Sequence, residues 1–261
     1  MSVKKKTAIV TGSTSGIGEG IAKAFAAQGF GIVLNGFGDA AEIEKLRKSI
    51  ADEHKVKVTY SNADMTKPAE IKKMVDDAAA EHGSVDILVN NAGIQFVADI
   101  TDFPDEKWDQ IIAINLSSAF HATKHALPYM QKNKWGRVIN IASAHGLVGS
   151  PQKSAYVAAK HGIVGLTKVT AIENANKGIT ANAICPGWVL TPLVEKQIND
   201  RAKANGTTFE DEKNKLVSEK QPMHEFSTPA HIGALAVFLC SDGAETITGT
   251  AQSIDGGWVS E

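Results

Sequence analysis

The chain runs to 261 residues, 43% hydrophobic and 21% charged, which is enough to bury a sizeable core without disulfide or metal support. Its 27 basic residues are balanced by 29 acidic ones for a net charge of −2, which excludes a nucleic-acid binder held by a basic excess. Aromatic residues make up 6%, leaving no stacking platform for single-stranded nucleic acid.

Cys185 and Cys240 are the only cysteines and form no CxxC pair. They read as small buried residues in a reducing compartment, with no disulfide framework and no metal site expected. The basic start is followed by too short an apolar run before Gly12 to act as a secretory leader. No stretch approaches the roughly 20 apolar residues of a membrane span. A cytoplasmic protein with no membrane partner is expected.

In chain order, strand Thr7–Val10 leads into Thr11-Gly12-Ser13-Thr14-Ser15-Gly16-Ile17-Gly18, which opens a helix over Ile17–Gln28. Glycines there let the backbone approach a pyrophosphate at a helix N-terminus. Gly12, Thr14, Ser15, Gly16, Ile17 and Gly18 are therefore candidate dinucleotide contacts. The spacing is T-G-x-x-x-G-x-G, and no Gly-Lys-Ser/Thr follows, so this is not a Walker loop. The next strand, Gly31–Leu34, ends in Leu34-Asn35-Gly36-Phe37-Gly38-Asp39. The strand tip offers neither an acid for a ribose hydroxyl nor a base for a 2′-phosphate, and the lack of positive charge favours NAD over NADP.

The alternation then continues. Helix Ala41–Glu53 precedes strand Val56–Tyr60, the turn Asn62-Ala63-Asp64-Met65, helix Pro68–Glu81 and strand Val85–Val89. Asp64 has two readings, an adenine contact or a helix-cap residue. After Asn90-Asn91-Ala92-Gly93 comes one long helical pattern over Pro104–Asn133, then strand Arg137–Ile141, helix Ala155–Asn176 and strand Ile179–Ile184. A polar, Lys- and Glu-rich stretch over 191–227 breaks the rhythm, before helix Pro229–Leu239 and strand Gln252–Ile254. Strand–helix alternation with near-continuous apolar strands predicts an α/β fold, a doubly wound, Rossmann-like parallel sheet of about seven strands with helices on both faces. One domain over 1–261 is expected, with 191–227 as a helical lid insertion.

Asn115 in the long helix, Ser143 after the fifth strand, and Tyr156-Val-Ala-Ala-Lys160 complete a set. With Thr11–Gly18, Asn90–Gly93 and Pro186-Gly187, they resemble the short-chain dehydrogenase/reductase family over essentially the whole chain. Tyr156 and Lys160, four apart, share a helix face. A free tyrosine titrates at about 10; a nearby ammonium and a positive nicotinamide ring favour its phenolate, which can then take an alcohol proton. Ser143 would hydrogen-bond the same oxygen. The resemblance implies that Asn115 positions a water in a proton relay with Lys160, and that Lys160 also binds the nicotinamide ribose. It further implies cofactor contacts from Phe37, Asp64, Met65, Asn91, Ala92, Gly93, Pro186, Gly187, Val189 and Thr191.

Polarity near these groups bears on the substrate. Gln95, His145 and Lys153 flank strand ends facing the cleft, and a Lys, a His and amide donors suit a small carboxylate. A small positive pocket around Lys153, Lys160 and His145 is expected within the near-neutral whole. Within the family the set resembles members that interconvert 3-hydroxybutyrate and acetoacetate with NAD, which implies that Gln197 joins the carboxylate set and that Trp188 and Trp258 wall the methyl side. The open alternatives are a 3-oxoacyl-thioester reductase, a different small hydroxy-acid dehydrogenase, or a non-catalytic dinucleotide-binding protein. The resemblance also implies a homotetramer.

Overall fold

The computed structural model describes residues 6–260. Seven strands form one parallel sheet in the order β3-β2-β1-β4-β5-β6-β7. They are β1 Thr7–Val10, β2 Gly31–Asn35, β3 Val58–Ser61, β4 Ile87–Asn90, β5 Gly136–Ile141, β6 Ile179–Pro186 and β7 Ala251–Ile254. The chain steps outward from β1 to β3, then returns to add β4 on the other side of β1. Ligands of open parallel sheets bind at that reversal, beyond the carboxyl ends of the strands.

The strands are apolar on both faces because each face carries helices. Along β1 and β2, Ala8, Val10, Ile32 and Leu34 pack with Ile21 and Phe25 of α1 (Gly16–Ala27), Ile50 of α2 (Ala40–His54) and Ile232 of a helix over Pro229–Leu239. The alternate residues Ile9, Val33 and Leu88 pack with Ile71 and Met74 of α3 (Pro68–His82), and with Ala122 and Met130 of a helix over Ser118–Asn133. This period of two is what a doubly covered sheet requires.

The helical pattern over 104–133 is not one uniform helix. α4 (Asp105–Ile112) passes into a π-helical turn at Ala113–Ser117 before α5 (Ser118–Asn133). Asn115 lies in that turn, 1% exposed. α6 covers Ser154–Asn174. The polar stretch 191–227 contains α7 (Pro192–Asn205) and α8 (Phe209–Ser218), and α9 is Pro229–Leu239. Thr191 caps α7, and Thr208 with Asp211 forms a capping box on α8. Between them the buried carboxylate of Glu212 takes hydrogen bonds from Asn205 (2.9 Å) and Thr207 (3.0 Å) and pairs with Arg201 (3.2 Å). No helix among the described residues is long and apolar enough to cross a membrane.

Candidate active site

Gly12 and Gly16 both adopt left-handed backbone, with φ of +62° and +59°, which favours glycine. A Cβ on Gly12 would sit 2.8 Å from Ala92 Cα, so the turn also needs a residue with no side chain. Three polar side chains hold it. The Thr11 hydroxyl accepts the amides of Asn91 and Ala92, each at 3.0 Å. Asn91 Nδ2 donates to the carbonyls of Thr11 (2.8 Å) and Gly12 (2.9 Å). Asn35, buried at the tip of β2, accepts the Gly12 amide (3.3 Å) and donates to the Ser61 and Ala63 carbonyls (3.2 and 3.0 Å). Asn35 is a residue that sequence reasoning missed; a lone Asn at a strand tip has no pattern that marks it. Ser15, the N-cap of α1, makes no side-chain cap, which leaves the first amides of α1 without a side-chain partner beside the glycine turn. That cradle fits a dinucleotide pyrophosphate. Thr191 lies against it, its Cγ2 3.6 Å from where a Gly16 Cβ would stand.

At the adenosine end, a cavity of about 480 Å³ is lined by Thr14, Ser15 and exposed Phe37, together with Glu19, Asp39, Glu42 and Lys45. Lys45 is paired with Glu42 at 3.6 Å and Lys23 with Glu19 at 2.5 Å, so the acid of this rim not engaged in one of those pairs is Asp39, at the start of α2. The strand tip itself carries no acid. Asp64 spends Oδ1 on the Thr66 amide and hydroxyl, both at 2.8 Å, and those bonds hold its carboxyl below the usual range. Oδ1 thus serves the turn before α3, whose N-cap is Lys67. Met65 and Val189 are 7% and 5% exposed and pack as core side chains. Pro186 ends β6, and Gly187 follows it at the carboxyl edge of the sheet.

At the catalytic end the predicted group converges. The Ser143 hydroxyl accepts the His145 amide at 3.2 Å and donates to the Tyr156 phenol, an effect that favours the phenolate. Lys160, 4% exposed, donates to the Ile141 carbonyl at 2.7 Å, with its ammonium 5.6 Å from the Tyr156 ring centroid. Asn115 accepts the Ile94 amide and donates to the Ile94 carbonyl, each at 2.9 Å. Its side chain thus fixes the loop after β4, and the π turn supplies the offset that lets it reach there. Gly93 lies on that loop beside the Asn115 side chain. Cys185, on β6 beside Lys160, has its thiol pushed up to about 11 by burial, so it is no nucleophile at neutral pH.

One electrostatic expectation needs correction, the charge on His145. Burial raises the Tyr156 phenol above its ordinary value, opposed by the Ser143 bond. The Lys160 ammonium is itself lowered from 10.5 to about 8 by burial. His145 does not contribute positive charge either: burial, with the ammoniums of Lys153 and Lys220, lowers it to about 4. The lysine of the pocket is Lys153, lowered from its ordinary value by burial and by Lys220.

Around that lysine the aromatic residues assemble. The His145 ring is 6.0 Å from Tyr156 and 5.0 Å from Trp258. Trp188 and Trp258 are 6.1 Å apart, and Lys153 Nζ is 5.9 Å from the Trp188 ring. The Trp188 indole N–H is buried without a hydrogen-bond partner, a donor left unsatisfied beside Lys153 and Trp258. The two glutamines are not brought in: Gln95 is exposed on the loop after β4, and Gln197 is exposed on α7.

Lys160 carries a stability prediction. Its folded pKa of about 8 lies below the ordinary 10.5, so its contribution is most favourable above pH 10.5 and is lost as pH falls through 8. At pH 7 the protonated group costs about 3 kcal/mol, offset by about 1 kcal/mol from its bond to Ile141. Lys160→Met should therefore raise the thermal midpoint at pH 7 by a few degrees while removing turnover. Thermal melts of both proteins from pH 7 to 10 test this; a lower midpoint for the variant at pH 7 contradicts it.

A family model described as enoyl-(acyl carrier protein) reductase matches residues 12–259. The chain belongs to the short-chain dehydrogenase/reductase family. It is 61% identical over 260 residues to a D-beta-hydroxybutyrate dehydrogenase of Cupriavidus necator, covering 98% of each chain. It is 56% identical over 256 residues to a D-beta-hydroxybutyrate dehydrogenase of Rhizobium meliloti, covering 98% of this chain and 99% of that one. Among solved structures, the L-sorbose reductase of Gluconobacter frateurii complexed with NADPH and L-sorbose superimposes with a TM-score of 0.95 at 30% identity, covering 100% of this chain and 99% of that one.

Proposed function

We propose that the chain is an NAD-dependent dehydrogenase that interconverts (R)-3-hydroxybutyrate and acetoacetate. The observation that carries this reading is the half-buried Lys153 set beside a tryptophan pair and the Ser143–Tyr156–Lys160 group. The two bacterial relatives named D-beta-hydroxybutyrate dehydrogenase support it over nearly the full length. A bound nicotinamide dinucleotide supplies the hydride acceptor. Tyr156 takes the proton of the substrate hydroxyl, and in reduction returns it to the carbonyl oxygen. Ser143 donates to that same oxygen and holds it in line. Lys160 fixes the nicotinamide ribose, and Asn115 keeps the loop after β4 and a relay water in place.

Lys153 pairs with the carboxylate, and neutral His145 adds a hydrogen bond. Trp188 and Trp258 enclose the short carbon chain. Gln95 and Gln197 stand exposed at the margins, and they join the carboxylate when 191–227 closes as a lid over a single domain spanning 1–261. Val169 and Ile172 of α6, 52% and 79% exposed, support association of copies along α5 and α6 into a tetramer. The two free, buried thiols support a reducing, cytoplasmic setting.

A 3-oxoacyl-thioester reductase is the second reading; the matched family description names a reductase of another acyl-carrier substrate, an enoyl group. The compact, aromatic-walled cation pocket favours a small acid over a long acyl chain.

The preference for NAD rests on Asp39 at the adenosine end, where Glu19 and Glu42 are paired with Lys23 and Lys45 and a 2′-phosphate would meet the Asp39 carboxylate. With (R)-3-hydroxybutyrate as co-substrate, kcat/KM for NAD should exceed that for NADP by about a hundredfold or more. Equal efficiency, or preference for NADP, overturns the assignment.

A further inference from the structure

Gln221 lies outside every predicted set, in the return segment after α8. It is 1% exposed, unusual for a glutamine, and both ends of its amide are used. Oε1 accepts the Trp188 amide. Nε2 donates to the Glu225 carbonyl at 2.5 Å. The turn it spans is also closed by the His224 amide, which donates to the Gln221 carbonyl at 2.8 Å with His224 in left-handed backbone at φ +52°.

Three segments meet at this side chain. A Cβ on Gly187 would run into Gln221 Oε1 and sit 2.9 Å from Asp255 Cα, and a Cβ on Gly256 would sit 2.9 Å from Gln221 Nε2. The Met223 amide donates to the Gly256 carbonyl at 3.0 Å, tying the same turn to the loop that carries Trp258. Trp188 is thus held at both ends of its peptide by the return segment: its amide goes to Gln221, and its carbonyl accepts the Ser227 amide at 3.0 Å.

We propose that Gln221 is a positioning residue for substrate recognition, the bolt that joins the returning end of the lid to the tryptophan wall of the hydroxy-acid pocket. The inference rests on the proposed reading of 191–227 as that lid. Gln221 does not touch Ser143, Tyr156 or Lys160, so its loss acts on how firmly the acid is held. Without it, the Trp188 amide and the Glu225 carbonyl lose buried partners, and the indole that faces Lys153 loses its fixed mount. Chemistry at the carbinol and cofactor binding at the glycine turn stay intact.

Two variants of the full chain test this. Gln221→Met keeps the volume and removes both hydrogen bonds; Gln221→Glu keeps the acceptor for the Trp188 amide and sets an anion against the Glu225 carbonyl. In each, KM for the hydroxy acid should rise about tenfold, with kcat within about threefold and KM for NAD within about twofold of the parent. If KM for the acid is unchanged in either variant, or KM for NAD rises in step, the proposal fails. Hydrogen exchange reads the bolt without substrate: amides of 187–190 and 223–227 should exchange faster in Gln221→Met, and those of β1, β4 and β5 should not. Unchanged exchange at 187–190 overturns the proposal. Faster exchange there in a protein that oxidises no hydroxy acid would instead overturn the assigned activity and leave the bolt standing.

Discussion

Tyr156→Phe is expected to lower kcat about a thousandfold or more, in the upper range of general acid–base effects, while NADH affinity stays within about twofold. The ring survives the change, so its edge contact with His145 at 6.0 Å is kept and only the proton carrier is lost. Ser143 still orients the oxygen, but no neighbour can take its proton: Lys160 is already a donor to Ile141, and His145 holds its ordinary neutral form down to about 4. In the parent enzyme, burial holds the phenol above its usual value, so oxidation should keep gaining from neutral pH upward, as the phenolate forms, and reduction should lose over the same range. Stopped-flow turnover and fluorescence titration with NADH check both halves. Activity retained within about tenfold removes Tyr156 from the proton-transfer role.

Lys153→Ala is expected to raise KM for 3-hydroxybutyrate about ten- to a hundredfold, the equivalent of about 1.5–3 kcal/mol for a charge-assisted hydrogen bond. The expectation is this large because His145 is neutral, which leaves Lys153 as the cation beside the tryptophan pair. Lys153→Arg keeps the charge but changes its reach, and should recover part of the loss. Steady-state kinetics of the three proteins decide the matter, and a parent-like KM in Lys153→Ala takes this residue out of the carboxylate site.

What was legible in the sequence follows from local physics. The strands could be read because continuous apolar runs such as Ile-Leu-Val at 87–89 have no other home than a sheet covered on both faces. The glycine turn could be read because Gly12 and Gly16 stand where the backbone turns left-handed, between a strand and a helix. The catalytic group was legible through the resemblance that Asn90–Gly93, Ser143 and Tyr156-x-x-x-Lys160 carry together; spacing alone places Tyr156 and Lys160 on one helix face. Features set by tertiary contact could not. The π turn at Ala113–Ser117 exists because the Asn115 side chain finds both polar groups of Ile94, a partner 21 residues away that no periodicity announces. The helices of 191–227 are poor in apolar pattern, and Glu212 buried among Arg201, Asn205 and Thr207 supplies part of what an apolar stripe would otherwise give. The neutrality of His145 and the raised phenol of Tyr156 depend on how deeply each is buried. Burial is a property of the packed molecule, and composition around a motif does not report it.

The central claim is that this family fold acts on a short 3-hydroxy acid with NAD. A steady-state panel tests it most directly: NAD with (R)- and (S)-3-hydroxybutyrate, 3-hydroxypropionate, malate and lactate, compared by kcat/KM. The account predicts (R)-3-hydroxybutyrate first, ahead of its mirror image and of the other acids by about tenfold or more. A higher kcat/KM for any other acid, or no turnover of (R)-3-hydroxybutyrate, contradicts it.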